Sequence, residues 1–322
     1  MLDRQYRLEI VLKHKTVIVE IRTSWAPLNS YTLAGRPPIN THLGMQRMSD
    51  EFDPHAVPIR PASTVMIVDD RPDLSVLMIR RNSKMIFAGG MWVFPGGAVD
   101  PGEADEFEAH CDGLNDAKAS ELLGLEAGGL AFWVAAIREN FEEAGLLLGE
   151  HRDTGGVDLG SMASDRAALN AGSLSFLDLV QRHNLRLHAN DVHYIAHWVT
   201  PLGSPRRFSA RFFISRPPAN QQVALDGSES VDWAWVNPRE MLGRHSRGEL
   251  TMMTPTVRML QSLAKFPNAR SALAAASANL SDEQVRVVYN ENGSYHIVVP
   301  GEDGYETADE TRETGWLRFR PL

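Results

Sequence analysis

Three glutamates, Glu139, Glu142 and Glu143, recur at i, i+3 and i+4. At about 100° per residue this spacing gathers all three carboxylates on one face of a helix. Trp133, Ile137, Phe141, Ala144 and Leu148 form an apolar stripe on the opposite side. The pattern predicts a helix over residues 130–148, with Gly149 as its C-cap. Like charges at i,i+4 repel by about 0.2–0.5 kcal/mol per pair on an open helix. A divalent cation removes that repulsion, and hard carboxylate oxygens suit magnesium or manganese. For the triplet alone, a solvated acidic face is the bland alternative. Its surroundings weigh against that alternative: Arg138 precedes the triplet, Gly145 follows it, and Glu103 stands shortly after the pair Gly96-Gly97.

Arg138-Glu139-Asn140-Phe141-Glu142-Glu143-Ala144-Gly145-Leu146, taken with Gly97 and Glu103, resembles the Nudix box: Gly, five residues, Glu, seven residues, then Arg-Glu-apolar-x-Glu-Glu-x-Gly-apolar. Two features depart from it. Asn140 stands at an apolar position, and residues 104–137 stand where the pattern has a seven-residue link. A box interrupted in this way resembles the branch of Nudix hydrolases that includes the coenzyme A diphosphatases. Met91-Trp92-Val93-Phe94-Pro95-Gly96-Gly97 and Arg207-Phe208-Ser209-Ala210-Arg211-Phe212-Phe213 resemble segments of the same branch.

The resemblance implies an α/β fold, an α/β/α sandwich around a mixed sheet. It implies Mg2+ (or Mn2+) held by Glu139, Glu142 and Glu143. The Gly96 carbonyl and Glu229 are further candidate ligands, with an ordinary turn carboxylate as the alternative for Glu229. The general base is Glu103 or Glu139, a choice that the residues leave open. Arg138 is expected to form a bidentate pair with a box carboxylate and orient it. The implied activity is hydrolysis of a nucleoside diphosphate linked to another moiety, of coenzyme A or acyl-coenzyme A type. NADH, ADP-ribose and nucleotide sugars are alternatives, and so is a non-catalytic Nudix-fold sensor. The expected partner is therefore a nucleotide-containing small molecule. Arg80 and Arg81, after a predicted strand, and Arg207 and Arg211, on one face of another, are candidate phosphate contacts. Solvated or cross-strand paired arginines are the alternative for each.

These residues must be positioned by a chain of ordinary globular composition, 322 residues with 43% hydrophobic and 23% charged. The net charge of −9 argues against a general nucleic-acid surface. The single cysteine, Cys111, excludes an internal disulfide or a cysteine metal cluster. No apolar run approaches the roughly 18 residues that span a bilayer. The last residues, Arg320-Pro321-Leu322, differ from the Ser-Lys-Leu peroxisomal address, and the expected compartment is the cytoplasm. The reading admits a homodimer.

Residues 1–57 read as an N-terminal extension. Either residues 8–21 form a hairpin followed by loop around Pro27, Pro37 and Pro38, or translation starts at Met45 or Met48 and the segment has no stable structure. Residues 58–266 are the expected Nudix domain, with an insertion at about 104–130 looping over the rim of the site. Within it, strands are expected at 62–68, 75–80, 91–94, 192–200, 207–215 and 231–236, the last strand of the sheet. Helices are expected at 116–125, 173–184 with Ser173 as N-cap, from Pro238, and at 255–266. Residues 267–322 read as a helix and a terminal hairpin turning at 290–293.

Overall fold

The computed structural model describes residues 6–12, 15–21, 53–225, 227–289, 295–308 and 314–322. The chain divides into two compact units, Met1–Glu51 and Phe52–Leu322. In the first, strands β1 (Tyr6–Leu12) and β2 (Lys15–Ile21) pair antiparallel in register from Tyr6↔Ile21 to Leu12↔Lys15. The prolines at 27, 37 and 38, the alternative starts Met45 and Met48, and the turn at 290–293 lie outside the described residues.

The second unit is built on a nine-stranded mixed sheet. Its first strands are β3 (Ile59–Asp70), β4 (Leu74–Arg81), β5 (Trp92–Val93) and β6 (Gly96–Ala98). Helices α1 (Glu103–Phe107), α2 (Asp116–Leu123) and α3 (Leu130–Ala144) follow. A small separate pair, β7 (Gly149–His151) with β8 (Leu185–Leu187), flanks α4 (Ala163–Asn170) and α5 (Phe176–Arg182). The chain returns to the large sheet through β9 (His193–Val199), β10 (Arg207–Ser215) and β11 (Ser230–Val236). After α6 (Pro238–Ser246), α7 (Thr254–Leu263) and α8 (Ala269–Ser277) come β12 (Glu283–Gln284), the hairpin β13 (Arg286–Tyr289) with β14 (Tyr295–Val298), and β15 (Gly315–Leu317). The order across the sheet is β11-β4-β3-β10-β9-β15-β12, with β5 on β4 and β6 on β3. Only β3 and β10 pair in parallel; every other pairing in this sheet is antiparallel.

Alternation along the central strands feeds two cores. Val65, Ile67, Leu77 and Phe213 face a core shared with α1 to α5. Met66, Val68, Met78, Phe212 and Ile214 face a second core, shared with α6 to α8. Helices therefore cover both faces, which is the expected α/β/α sandwich. No helix among the described residues is long and apolar enough to cross a membrane.

Several boundaries differ from expectation, each for a local reason. The acidic helix stops at Ala144, because Gly145 adopts the left-handed conformation (φ +72°) and its N–H closes on Phe141 O at 3.0 Å. Leu146, Leu147 and Leu148 are buried beyond the helix, so their apolar run imitated a further turn. Gly149 opens β7 instead of capping the helix. The helix expected from Ser173 is α5, capped by Ser175, whose hydroxyl accepts from Asp178 N at 3.0 Å. β11 is an edge strand but not the last of the sheet, since β12 and β15 join it later in the chain, β15 on β9. The insertion does not loop over a rim. Ala104, Phe107, Ala119 and Leu123 are buried in the first core. Asp116 and Ser120 cap the start of α3: Asp116 accepts from Leu130 N at 2.8 Å and from Gly128 N at 2.9 Å, and Ser120 Oγ accepts from Gly129 N at 2.9 Å.

Candidate active site

The two halves of the interrupted box meet at one guanidinium. Arg138 donates through Nε to Glu103 Oε1 at 2.7 Å, and through Nη1 to Glu139 Oε1 at 2.6 Å and Glu142 Oε1 at 3.3 Å. Its Nη2 donates to the Ala98 carbonyl at 2.8 Å. Glu103 is the first residue of α1, not a loop carboxylate, and α1 packs on α3. Long surface loops cost little closure entropy, and here a folded segment replaces the loop altogether. Arg138 joins three carboxylates singly. The expected bidentate pair with one carboxylate is not formed, which leaves Glu103 Oε2 buried with no hydrogen-bond partner.

The third helical carboxylate is held from the sheet. Gly96 N–H donates to Glu143 Oε2 at 3.0 Å, and Arg81 Nη1 lies 3.5 Å from Glu143 Oε1. Arg81 Nη2 also reaches Glu229 Oε2 at 3.3 Å, so Glu229 stands across one guanidinium from Glu143. β6 brings its glycines here by pairing with β3, Gly97 opposite Ser63 and Gly96 opposite Thr64. A Cβ on Gly97 would lie 2.4 Å from the Glu139 carboxyl carbon, so only glycine lets this carboxylate seat against the turn.

Electrostatics follow from crowding. Burial, then Glu139, pushes Glu142 up to about 7. Burial, then Glu139, pushes Glu143 up to about 8. Burial also raises Glu103 and Glu139, against the pull of Arg138. Burial disfavours the Arg138 charge, but Glu139 and Glu103 more than offset it and hold its pKa above the ordinary value. Five carboxylates, Glu229 included, thus share two arginines.

The donor chemistry fits a hard divalent cation: clustered carboxylates of raised pKa, one orphaned carboxylate oxygen, and a backbone turn against them. As placed, the side chains are drawn to Arg138 and Arg81, and no three His, Cys, Asp or Glu groups among the described residues converge as a cation cage.

Residues outside the box fasten its C-terminal end, and no motif or periodicity marks them. Arg166, in α4, donates through Nε to Phe141 O at 2.8 Å, and through Nη2 to Glu142 O at 2.9 Å and Ala224 O at 2.6 Å. Asn170 Nδ2 adds a bond to Glu142 O at 3.3 Å. Gln221 exchanges two bonds with Leu147, at 2.8 and 3.0 Å. Asn140 explains its own departure from the box pattern. It is fully buried, and Nδ2 donates to Leu146 O at 2.5 Å just past the helix end.

A cavity of about 550 Å3 adjoins the glycine turn. Gly96, Gly97, Ala98 and Arg81 form its border with the box, and Trp198, Phe208, Phe212 and Met252 supply much of its apolar wall. Ala62, Ala210 and Phe212 belong to the strand face that carries α6 to α8. Of the four arginines predicted from sequence, only Arg81 lines this cavity. Arg80 pairs with Asp232 at 3.3 Å. Arg207 and Arg211 alternate with the cavity-lining Phe208, Ala210 and Phe212, and so face away. Arg207 Nε donates to Thr200 O at 3.0 Å. Arg211 is buried, stacks 4.7 Å from the Phe132 ring centroid, and donates to Ser209 Oγ at 3.3 Å.

A model of the NUDT19 Nudix domain matches residues 125–263. The match starts after Glu103, so the first half of the box joins it through geometry. A Caenorhabditis elegans protein named for the same family is 27% identical over 190 residues, which cover 59% of this chain and 56% of that protein. The acyl-coenzyme A diphosphatase NUDT19 of Gallus gallus is 27% identical over 242 residues, covering 60% of this chain and 62% of its own. The chain thus spans about three fifths of the length of these relatives. Among solved structures, a NUDIX hydrolase from Alicyclobacillus acidocaldarius superposes with a TM-score of 0.54 at 28% identity, over 68% of this chain and 97% of that one.

Proposed function

We propose that this chain is a Nudix hydrolase of the branch resembling the coenzyme A diphosphatases, a metal-dependent hydrolase of the pyrophosphate bond in coenzyme A or acyl-coenzyme A. The observation that carries the reading is the reassembled box: Glu103, Glu139 and Glu142 on one guanidinium, with Glu143 on the glycine turn, beside an apolar cavity.

Nudix hydrolases generally use divalent metal ions; here Mg2+ or Mn2+ would be held by Glu139, Glu142 and Glu143, with the Gly96 carbonyl and Glu229 as further donors. A cation held there would supply charge neutralisation during cleavage of the P–O bond. The remaining work belongs to the chain. Arg138 fixes the rotamers of three carboxylates through three hydrogen bonds, and a fourth, to the Ala98 carbonyl, anchors the guanidinium itself. Glu103 Oε2 has open lone pairs in a buried setting, so Glu103 is the favoured general base for the attacking water, over Glu139, whose carboxylate is seated against Gly97. Burial raises the basicity of Glu103 toward neutrality. Arg81 is the one sequence-predicted arginine within reach of a phosphate at the cavity mouth. The cavity wall binds the apolar part of the substrate and excludes water from it.

Incubation with Mg2+ and a panel of coenzyme A, acyl-coenzyme A, NADH, ADP-ribose and a nucleotide sugar tests the reading, with products separated by chromatography. Coenzyme A or its acyl form should yield a phosphopantetheine half and an adenosine bisphosphate half. Preferred cleavage of NADH, ADP-ribose or the nucleotide sugar moves the assignment to that substrate. Binding without cleavage of any of them identifies a sensor.

A further inference from the structure

We propose that Arg166 is a positioning residue for the cation-binding carboxylates, a clamp that fixes the C-terminal turn of α3 from outside the box. This deepens the function proposed above and rests on it for the cation. The last carbonyls of a helix have no partner within it. In α3 those carbonyls belong to the very turn that carries Glu142 and Glu143. Arg166 meets Glu142 O at 2.9 Å, adds a second donor at 2.8 Å to Phe141 O, which already accepts from Gly145 N–H, and ties both to Ala224 O at 2.6 Å with the same guanidinium. Ala224 N–H closes the loop by donating to Ala144 O at 2.9 Å. The turn is therefore held by α4 and by the segment around residue 224, both remote in sequence.

The box glycine gives an independent sign of the same device. A Cβ on Gly145 would meet Ala224 O at 2.8 Å and Arg166 Nη1 at 3.0 Å. Gly145 thus does two things: it takes the left-handed φ that ends the helix, and it leaves the space that the clamp fills. The guanidinium fork is rigid and planar, so it sets the direction of these carbonyls, and through the backbone the direction of the Glu142 and Glu143 side chains. Partners that orient metal-binding groups without touching the metal typically account for about ten- to a hundredfold in metal affinity.

Charge and geometry predict opposite signs. Removing a cation from the neighbourhood of clustered carboxylates should by itself strengthen binding of a second cation. Loosening the turn that carries them should weaken it. The experiment is a Mn2+ titration followed by electron paramagnetic resonance on the full chain, comparing wild type, Arg166→Met, Arg166→Lys and Arg152→Met. Arg152 is the control, because it also donates to two backbone carbonyls, Leu185 O and Ala109 O, away from the box.

Arg166→Met should raise the Mn2+ dissociation constant about ten- to a hundredfold. Arg166→Lys keeps the charge but loses the fork, and should remain weakened by at least about fivefold. Arg152→Met should bind Mn2+ as wild type does. Unchanged or tighter binding in Arg166→Met overturns the clamp, and so does full recovery in Arg166→Lys. Equal weakening in Arg152→Met also overturns it, by reducing the effect to general loss of stability. If Arg166→Met does not fold, Arg166→Lys against Arg152→Met decides the same question. A wild-type chain that binds no Mn2+ refutes the hydrolase reading itself, a result distinct from all of these.

Discussion

Among the described residues, two cavities of nearly equal volume, about 560 and 550 Å3, differ in how their charges are compensated. The first is lined by Glu150, His188, Asp191, His193 and Arg216, among others. Its Glu150 is satisfied: it pairs with Arg186 and lies 3.6 Å from His188, and the Arg186 hydrogen bond holds its carboxyl below the usual range. The second borders the glycine turn, where burial and mutual repulsion push Glu142 and Glu143 up to about 7 and 8. Volume does not separate a functional cavity from a structural one. Carboxylates held together against their own repulsion do, because the fold tolerates such a cost where it serves chemistry.

The largest expected effect tests that distinction directly. Glu142→Gln or Glu143→Gln should lower turnover of the preferred substrate on the order of a hundredfold or more at saturating Mg2+, with the fold retained by circular dichroism. Glu150→Gln, in the other cavity, should stay within about twofold of wild type. Near-wild-type turnover in either helical variant, or an equal loss in Glu150→Gln, breaks the comparison.

The sequence made one half of this contrast legible and hid the other. Periodicity alone placed Glu139, Glu142 and Glu143 on one helix face, and the strand Arg207–Ser215 was recovered residue for residue. Helix length was misjudged because the three leucines after Gly145 continue an apolar pattern while lying outside the helix. Periodicity registers burial, and burial does not require a helix. Arg207 and Arg211 drew attention as cations among phenylalanines, yet strand alternation turns them away from the cavity that Phe208 and Phe212 line. Arg166 was invisible for a different reason. Its role is to bond main-chain carbonyls, and a carbonyl has no identity in a sequence. The apolar wall is not legible as a unit, because Trp198, Phe208 and Met252 come from three separate segments that only the fold assembles.

A second prediction concerns pH, and it sets the two cavities against each other in sign. The Glu142 and Glu143 carboxyls keep their protons in the folded chain up to about pH 7 and 8, whereas unfolded carboxyls release theirs near 4.5. Between those limits the folded state binds more protons, so their contribution to stability is full below 4.5 and is lost as pH rises toward 8. Glu150 is displaced the other way, and its contribution is present above 4.5 and lost on acidification. With a chelator present, the melting temperature of wild type should therefore fall from pH 5 to pH 8 more steeply than that of Glu143→Gln, by a difference on the order of 5 °C. Mg2+ should stabilise most at the upper end of that range, where the carboxylates are ionised. Parallel pH profiles for wild type and Glu143→Gln would remove the electrostatic basis of the comparison.

The smallest effect concerns binding without chemistry. Phe208 lines the cavity beside the glycine turn, and its ring packs 5.1 Å from that of Phe87. Neither ring is among the groups around Arg138, so Phe208 contacts the substrate equally before and during bond cleavage if the cavity holds the apolar moiety. Such uniform binding sets KM and leaves kcat alone. Truncating one aromatic wall residue should cost about 1–2 kcal/mol of binding, so Phe208→Ala should raise KM about fivefold to thirtyfold at unchanged kcat. Val157 offers the matched change in the other cavity, since it lines that space with no part in the box. Val157→Ala should leave both constants within about twofold. A fall in kcat for Phe208→Ala would place the ring against the reacting phosphates, while a rise in KM for Val157→Ala would assign the apolar moiety to the compensated cavity. Either outcome would locate substrate by measurement where volume alone does not.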